Sequence, residues 1–163
     1  MTLIPRHPVS QNVLCKHDES SGTAEAGAVV YLSGDNKVAR VTASGNVPYA
    51  MLFQPVRANL AGLPANFEFP GEIGTSVARA GDPVLLYHKG IFETDHYTLS
   101  GGVSAGASLY ALADGSADAG KLCASGTVAL DAAGNDAIVA VAQESLSAAE
   151  AAVGKALKIK LEL

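Results

Sequence analysis

The feature that most constrains this chain is a short glycine-led motif written twice. Ala26-Gly27-Ala28-Val29-Val30-Tyr31 returns as Ala105-Gly106-Ala107-Ser108-Leu109-Tyr110, with tyrosine four residues after the glycine each time. A weaker copy, Ala80-Gly81-Asp82-Pro83-Val84-Leu85, lies between them. Downstream, Gly45-Asn46 leads through an apolar run to Gln54, and Gly134-Asn135 through another to Gln143, with glycine and glutamine nine residues apart in both. Self-similarity of this kind marks a duplicated supersecondary unit, and a lone unit seldom buries its own apolar face. The chain is therefore expected to be built from two similar small β-modules.

A pass along the chain divides it accordingly. Residues 1–25 carry Pro5 and Pro8 and then the polar stretch Lys16–Glu25, so they read as an extended N-terminal arm. Such an arm is either a free tail or a segment that orders on a partner. From residue 26 to 163 the signals are those of a β-rich body. Module one covers 26–56, an excursion covers 57–79, central strands cover 80–104 and module two covers 105–163. Apolar runs at Ala28–Leu32, Val38–Thr42, Pro48–Val56, Val84–Phe92, Thr127–Leu130 and Ala137–Gln143 are bounded by Gly, Asn and Asp, as strands between tight turns are. Leu157, Ile159, Leu161 and Leu163 alternate with Lys158, Lys160 and Glu162, the period of a strand with one buried face. Ser147-Ala148-Ala149-Glu150 has the spacing of a capping box, and Gly154 stands where a C-terminal cap would, so at most one short helix is expected. The excursion, with Gly62, Pro64, Pro70, Gly71 and Gly74, shows little periodicity; a connection of that length inside a compact domain is commonly functional. The fold class expected is mainly β, a sandwich or barrel-like body.

Composition narrows the function class. Charged residues make up 17% of the chain, against about 25% in an average soluble domain. Alanine and glycine are abundant, and such small, weakly charged surfaces suit faces that meet other protein subunits. The net charge of −5 and eleven scattered Lys and Arg argue against nucleic acid, which needs clustered cations. No apolar run approaches the roughly 20 residues of a spanning helix, and Met1–Leu14 lacks the continuous apolar segment of a signal peptide. No membrane role and synthesis in a cytoplasm are the expectations, with Cys15 and Cys123 as thiols rather than a disulfide.

Motifs that carry chemistry fail on inspection. Gly102-Val103-Ser104-Ala105-Gly106 matches the G-x-S-x-G nucleophile elbow, but in that fold the histidine follows the serine. Here His7, His17, His88 and His96 all precede Ser104, and a glycine-rich turn is expected instead. His88, Glu93, Asp95 and His96 include metal-ligating types, yet strand alternation sends residues of opposite parity to opposite faces. Asp114, Ser116 and Asp118 imitate the first ligands of a calcium loop, but the positions for glycine and glutamate hold Ala119 and Ser125. No Gly-Lys-Ser/Thr follows a glycine run, so there is no phosphate-binding loop. No catalytic residue, cofactor or metal is expected.

Taken together, the Ala-Gly openings at 26–31 and 105–110, the Gly-Asn-led strands ending at Gln54 and Gln143, and the closing Ala156–Leu163 strand resemble the small β-rich decoration, or cement, proteins of tailed-bacteriophage capsids. The resemblance covers most of residues 26–163; the 57–79 excursion departs from the compact family pattern. It implies a structural virion protein with no enzymatic activity, made in the host cytoplasm and bound to the capsid exterior. Its partner would be the major capsid protein, and a homotrimer the favoured assembly. It also implies capsid contact through the N-terminal arm, with Leu3, Ile4, Pro5, Arg6, His7, Pro8 and Val9 as the contact residues. The competing expectations are another phage structural component, a tail-tube or head-fibre subunit, and a small enzyme or binding module using the His88–His96 region.

Overall fold

A computed structural model of the chain describes residues 3–5, 10–12, 15–18, 22–57, 78–79, 81 and 83–163. The N-terminal stretch contributes three short strands, β1 (Leu3–Pro5), β2 (Ser10–Asn12) and β3 (Lys16–His17). Then come β4 (Val29–Gly34), β5 (Lys37–Arg40), β6 (Ala50–Leu52), β7 (Val56–Arg57) and β8 (Ala78–Arg79). A long strand, β9 (Leu86–Thr94), is followed by β10 (Tyr97–Thr98), β11 (Ser108–Ala111), β12 (Leu122–Cys123) and β13 (Ile138–Ala142). The helix α1 (Ala148–Ala152) and the strand β14 (Leu157–Glu162) complete the chain. The protein is mainly β, as the sequence implies.

One mixed sheet runs in the order β10-β12-β11-β13-β14-β9-β6-β4-β5-β3, and that order reads as a palindrome of two five-stranded units. In each unit the first strand pairs in parallel with the third, β3 with β5 and β10 with β12, while the remaining pairs are antiparallel. The hydrogen bonds repeat as well. Gly27 N–H donates to Leu52 O at 2.7 Å and Leu52 N–H returns to Ala28 O at 2.9 Å; Gly106 donates to Ala142 O at 2.8 Å and Ala142 returns to Ala107 O at 3.0 Å. Ala24 and Val56 exchange bonds at 3.0 and 2.7 Å, and Val103 and Leu146 do the same at 2.8 Å each way. Gly27 and Gly106 hold φ of 87° and 84°, a left-handed backbone that favours glycine and explains why this residue opens both copies.

The units meet across a ladder of equivalent strands. Met51 pairs with Tyr87 in the first unit and Val141 with Lys160 in the second, so β9 and β14 correspond. Carrying that correspondence along the strands matches Lys89 with Glu162, and these two residues are register partners of each other. The pair Gly90–Leu161 on one side of them is mirrored on the other by Leu163 N–H donating to His88 O at 3.0 Å. A local two-fold axis therefore passes through the Lys89–Glu162 pair.

Two cores follow. One gathers Val29, Met51, Tyr87 and Phe92 with Leu109, Val139, Leu157, Ile159 and Leu161, so both units bury side chains in it. The other, with Ala28, Val30, Val38, Ala50, Leu52, Val84 and Leu86, lies on the opposite face of the first unit's sheet, because successive residues along β4, β6 and β9 point to opposite sides. The terminal strands of the order, β3 and β10, do not pair with each other, so the body is sandwich-like and not a closed barrel.

Several expectations change at this level. The first unit begins before residue 26, since β3 lies in the stretch expected as an arm, and it ends with β9. The central 80–104 region is divided, β9 closing one unit and β10 opening the other. Thr127–Leu130 makes only isolated bridges, Leu112 with Val128 and Leu130 with Asp136. The Gly-Asn-to-Gln spacing is out of register by one residue. Phe53 N–H donates to Leu85 O at 3.0 Å and Gln143 N–H to Lys158 O at 2.8 Å, so Phe53, not Gln54, is the counterpart of Gln143. Val56 and Leu146 occupy equivalent positions; residues 57–80 thus fill the interval that 147–153, with α1, fill in the second unit. Within that interval, 58–77 and 80 lie outside the described residues.

Candidate functional site

The N-terminal residues expected at a capsid interface divide by parity. Leu3 pairs with Thr94, Ile4 with Glu93 and Pro5 with Phe92, all in antiparallel register on β9. Leu3 is 4% exposed and joins the shared core, whereas Ile4 is 39% exposed. Arg6, His7, Pro8 and Val9 lie outside the described residues. Beyond them β2 pairs with β9 through Ser10–Lys89, Gln11–Tyr87 and Asn12–Leu86. Leu86, Tyr87, Lys89, Phe92, Glu93 and Thr94 accordingly each have two pairing partners, one from the N-terminal segment and one from β6 or β14. The described parts of the segment are strands added to the body. The sequence hid this because two- and three-residue strands are too short to show a period.

The Gly102–Gly106 stretch is the second unit's opening turn. A Cβ on Gly102 would stand 2.4 Å from Leu146 O, so the backbone here is pressed against the segment that leads into α1. Ser104 O accepts the Ala107 N–H at 3.1 Å, and Ala105 N–H donates to Ser145 Oγ at 3.0 Å. An open depression of about 390 Å³ beside it is lined by Gly101, Gly102, Val103, Ser104, Ala107, Ala124 and Leu146. None of these side chains is an acid or base that would activate the Ser104 hydroxyl.

The polar residues around β9 separate. His88 Nδ1 lies 2.9 Å from Tyr49 O, and its ring meets the Tyr49 ring edge-on at 4.7 Å. His96 is 3% exposed and sits in the connection from β9 to β10. The two histidines therefore belong to different surroundings. Among the described residues no group of three or more His, Cys, Asp or Glu is placed to hold a metal ion. The Asp114–Asp118 stretch turns its acceptors on its own backbone: Asp114 Oδ1 accepts from Ser116 N–H at 3.0 Å and Ser116 Oγ from Asp118 N–H at 3.1 Å. Bonds from Ser116 hold the Asp114 carboxyl below its ordinary range. The Lys121 ammonium stands 2.6 Å from Asp118, where a calcium ion would need that oxygen.

Both cysteines are buried thiols. Burial raises both, Cys123 to about 11, which keeps them from being thiolates at neutral pH. What sequence reasoning missed is a buried polar set, His17, Thr94 and His96. The histidines carry no signal in their neighbours, because their burial comes from strand pairing far along the chain.

No protein-family model matches the chain, and no curated protein matches it.

Proposed function

We propose that the protein is a structural component of a virion that binds the outer surface of a tailed-phage capsid and stabilises the shell by bridging capsid subunits. The observation that supports this reading best is the duplicated unit: the Ala-Gly openings on which the resemblance rests are equivalent turns of two like β-units joined through one continuous sheet. A body of that kind carries repeated surface features on a single frame, and repetition over a lattice turns weak contacts into avidity. The partner in this reading is the major capsid protein, the assembly on the shell a trimer, and the role mechanical rather than catalytic.

In this proposal the N-terminal segment contributes to contact through Ile4, whose side chain faces outward, while Leu3 anchors the same strand to the core. Strand addition satisfies the segment's backbone bonds and offsets the roughly 1–2 kcal/mol per residue lost on ordering it.

Co-sedimentation of the purified protein with expanded, empty phage heads tests the reading. Saturable binding at a fixed copy number per shell is the expected result. Absence of binding, with the protein alone assembling into tubes or fibres, would move it to a tail-tube or head-fibre role. Absence of both would leave a small binding module.

A further inference from the structure

The connection between the two units holds a buried histidine at the point where several elements converge. His96 N–H donates to Thr94 Oγ1 at 3.1 Å, and His96 O accepts from Leu122 N–H, at β12, at 3.2 Å. The Gly27 turn presses on the same residue: a Cβ there would stand 2.9 Å from His96 Cβ and 2.9 Å from Thr94 Oγ1. Thr94 is in turn the register partner of Leu3 in β1 and of Leu157 in β14. Through its main chain, its Cβ and its bond to Thr94, buried His96 thus stands among the end of β9, the opening turn of the first unit and the third strand of the second, with the N-terminal strand paired to Thr94.

We propose that this junction is a proton-operated latch: the neutral imidazole of His96 lets β1, the Gly27 turn and β12 close on the end of β9, and protonation opens the junction and releases the N-terminal segment while the rest of the body stays folded. The charged groups of the described residues that act on the ring are Lys121 beside β12, Glu25 beside the Gly27 turn and Asp95 on its own connection. Glu25 is already engaged by Arg57 at 2.8 Å, and the Lys121 ammonium, held by Asp118 at 2.6 Å, disfavours a second positive charge on the ring.

Burial first, and Lys121 second, hold the ring down to about 4, against 6.5 for an ordinary histidine. The open state, with the ring in water, takes up the proton across that interval and the closed state does not. Opening is therefore favoured increasingly as the pH falls from 6.5 toward 4, approaching tenfold per pH unit.

Amide exchange of the full chain, corrected for the intrinsic rate at each pH, reads this directly. Between pH 6.5 and 4.5 the opening of Leu3 and Ile4 amides should rise about 40-fold, while the amides of Leu109 and Ala140 keep their protection. In His96→Gln the rise should vanish, and in His17→Gln, which alters another buried histidine, it should persist. A flat response in the parent chain, a rise that survives His96→Gln, or one that disappears in His17→Gln alone overturns the latch. Should His96→Gln fail to fold, titration of the His96 ring by NMR decides. Ionisation near the ordinary histidine value with β1 still protected refutes the latch; ionisation near 4, with β1 protection falling between pH 6.5 and 4.5, sustains it.

Discussion

Glycines with the same motif and the same backbone conformation do different work in the two units. Gly27 and Gly106 both hold positive φ, but a Cβ on Gly27 meets His96 and Thr94 at 2.9 Å, whereas nothing stands within 4 Å of one on Gly106. Gly106→Ala should cost about 1 kcal/mol, the left-handed penalty alone. Gly27→Ala should cost about 2–4 kcal/mol, because the junction must also yield. Chemical denaturation of the two variants checks the ranking, and equal losses would mean that the Gly27 contact is soft. Parity along β1 supplies a second contrast. Leu3→Ala removes a core side chain and should destabilise by about 2 kcal/mol. Ile4→Ser should change stability by no more than about 0.5 kcal/mol and, under the proposed function, lower the copy number on phage heads. Full occupancy of heads by Ile4→Ser would remove that residue from the interface.

At the scale of elements, the most local structure is also the best forecast by sequence. The capping box of α1 is complete: Glu150 N–H donates to Ser147 Oγ at 3.3 Å and Ser147 N–H to Glu150 Oε2 at 2.9 Å. Bonds from Lys155 and then Ser147 pull the Glu150 carboxyl down to about 2. A depressed carboxyl contributes above its unfolded value and loses that contribution as the pH falls toward 2, so the cap is intact at neutral pH. The helix buries none of its own residues completely, so Ser147→Ala should cost about 1 kcal/mol in thermal unfolding and leave the sheet unchanged. A much larger loss would show that the helix supports the core.

For the whole molecule, the β9–β14 ladder and the shared core make the two units one cooperative body. Val29, Met51 and Phe92 from one unit bury against the same cluster as Leu109, Val139 and Ile159 from the other, so each unit loses the shared core if its partner unfolds. Calorimetry should therefore show one transition whose van't Hoff and calorimetric enthalpies agree. Two resolved transitions would mean that each unit holds its own fold. Phe92, fully buried in the strand that joins the units, is the position whose truncation to alanine should lower that transition most steeply, by about 3–5 kcal/mol.

What the sequence by itself determined is what short-range geometry controls. Gly27 and Gly106 mark turns because L side chains avoid positive φ, the Ser147–Glu150 spacing marks a helix start because three residues span one turn, and the Leu157–Leu163 alternation marks a strand with one dry face. The mainly β class and the duplication follow from those signals. Strand partnership was decided only in the tertiary structure. A two-residue strand such as β3 or β10 has no period to read, and its parallel partner lies across an intervening hairpin or loop. The same holds for the N-terminal segment, whose prolines and polar residues read as an extended arm and carry no mark of its pairing with β9. His17 and His96 are buried because distant strands close over them, and no residue beside either one encodes that enclosure. Local conformational preference is written residue by residue; pairing and burial depend on which surfaces meet, and that is a property of the folded chain as a whole.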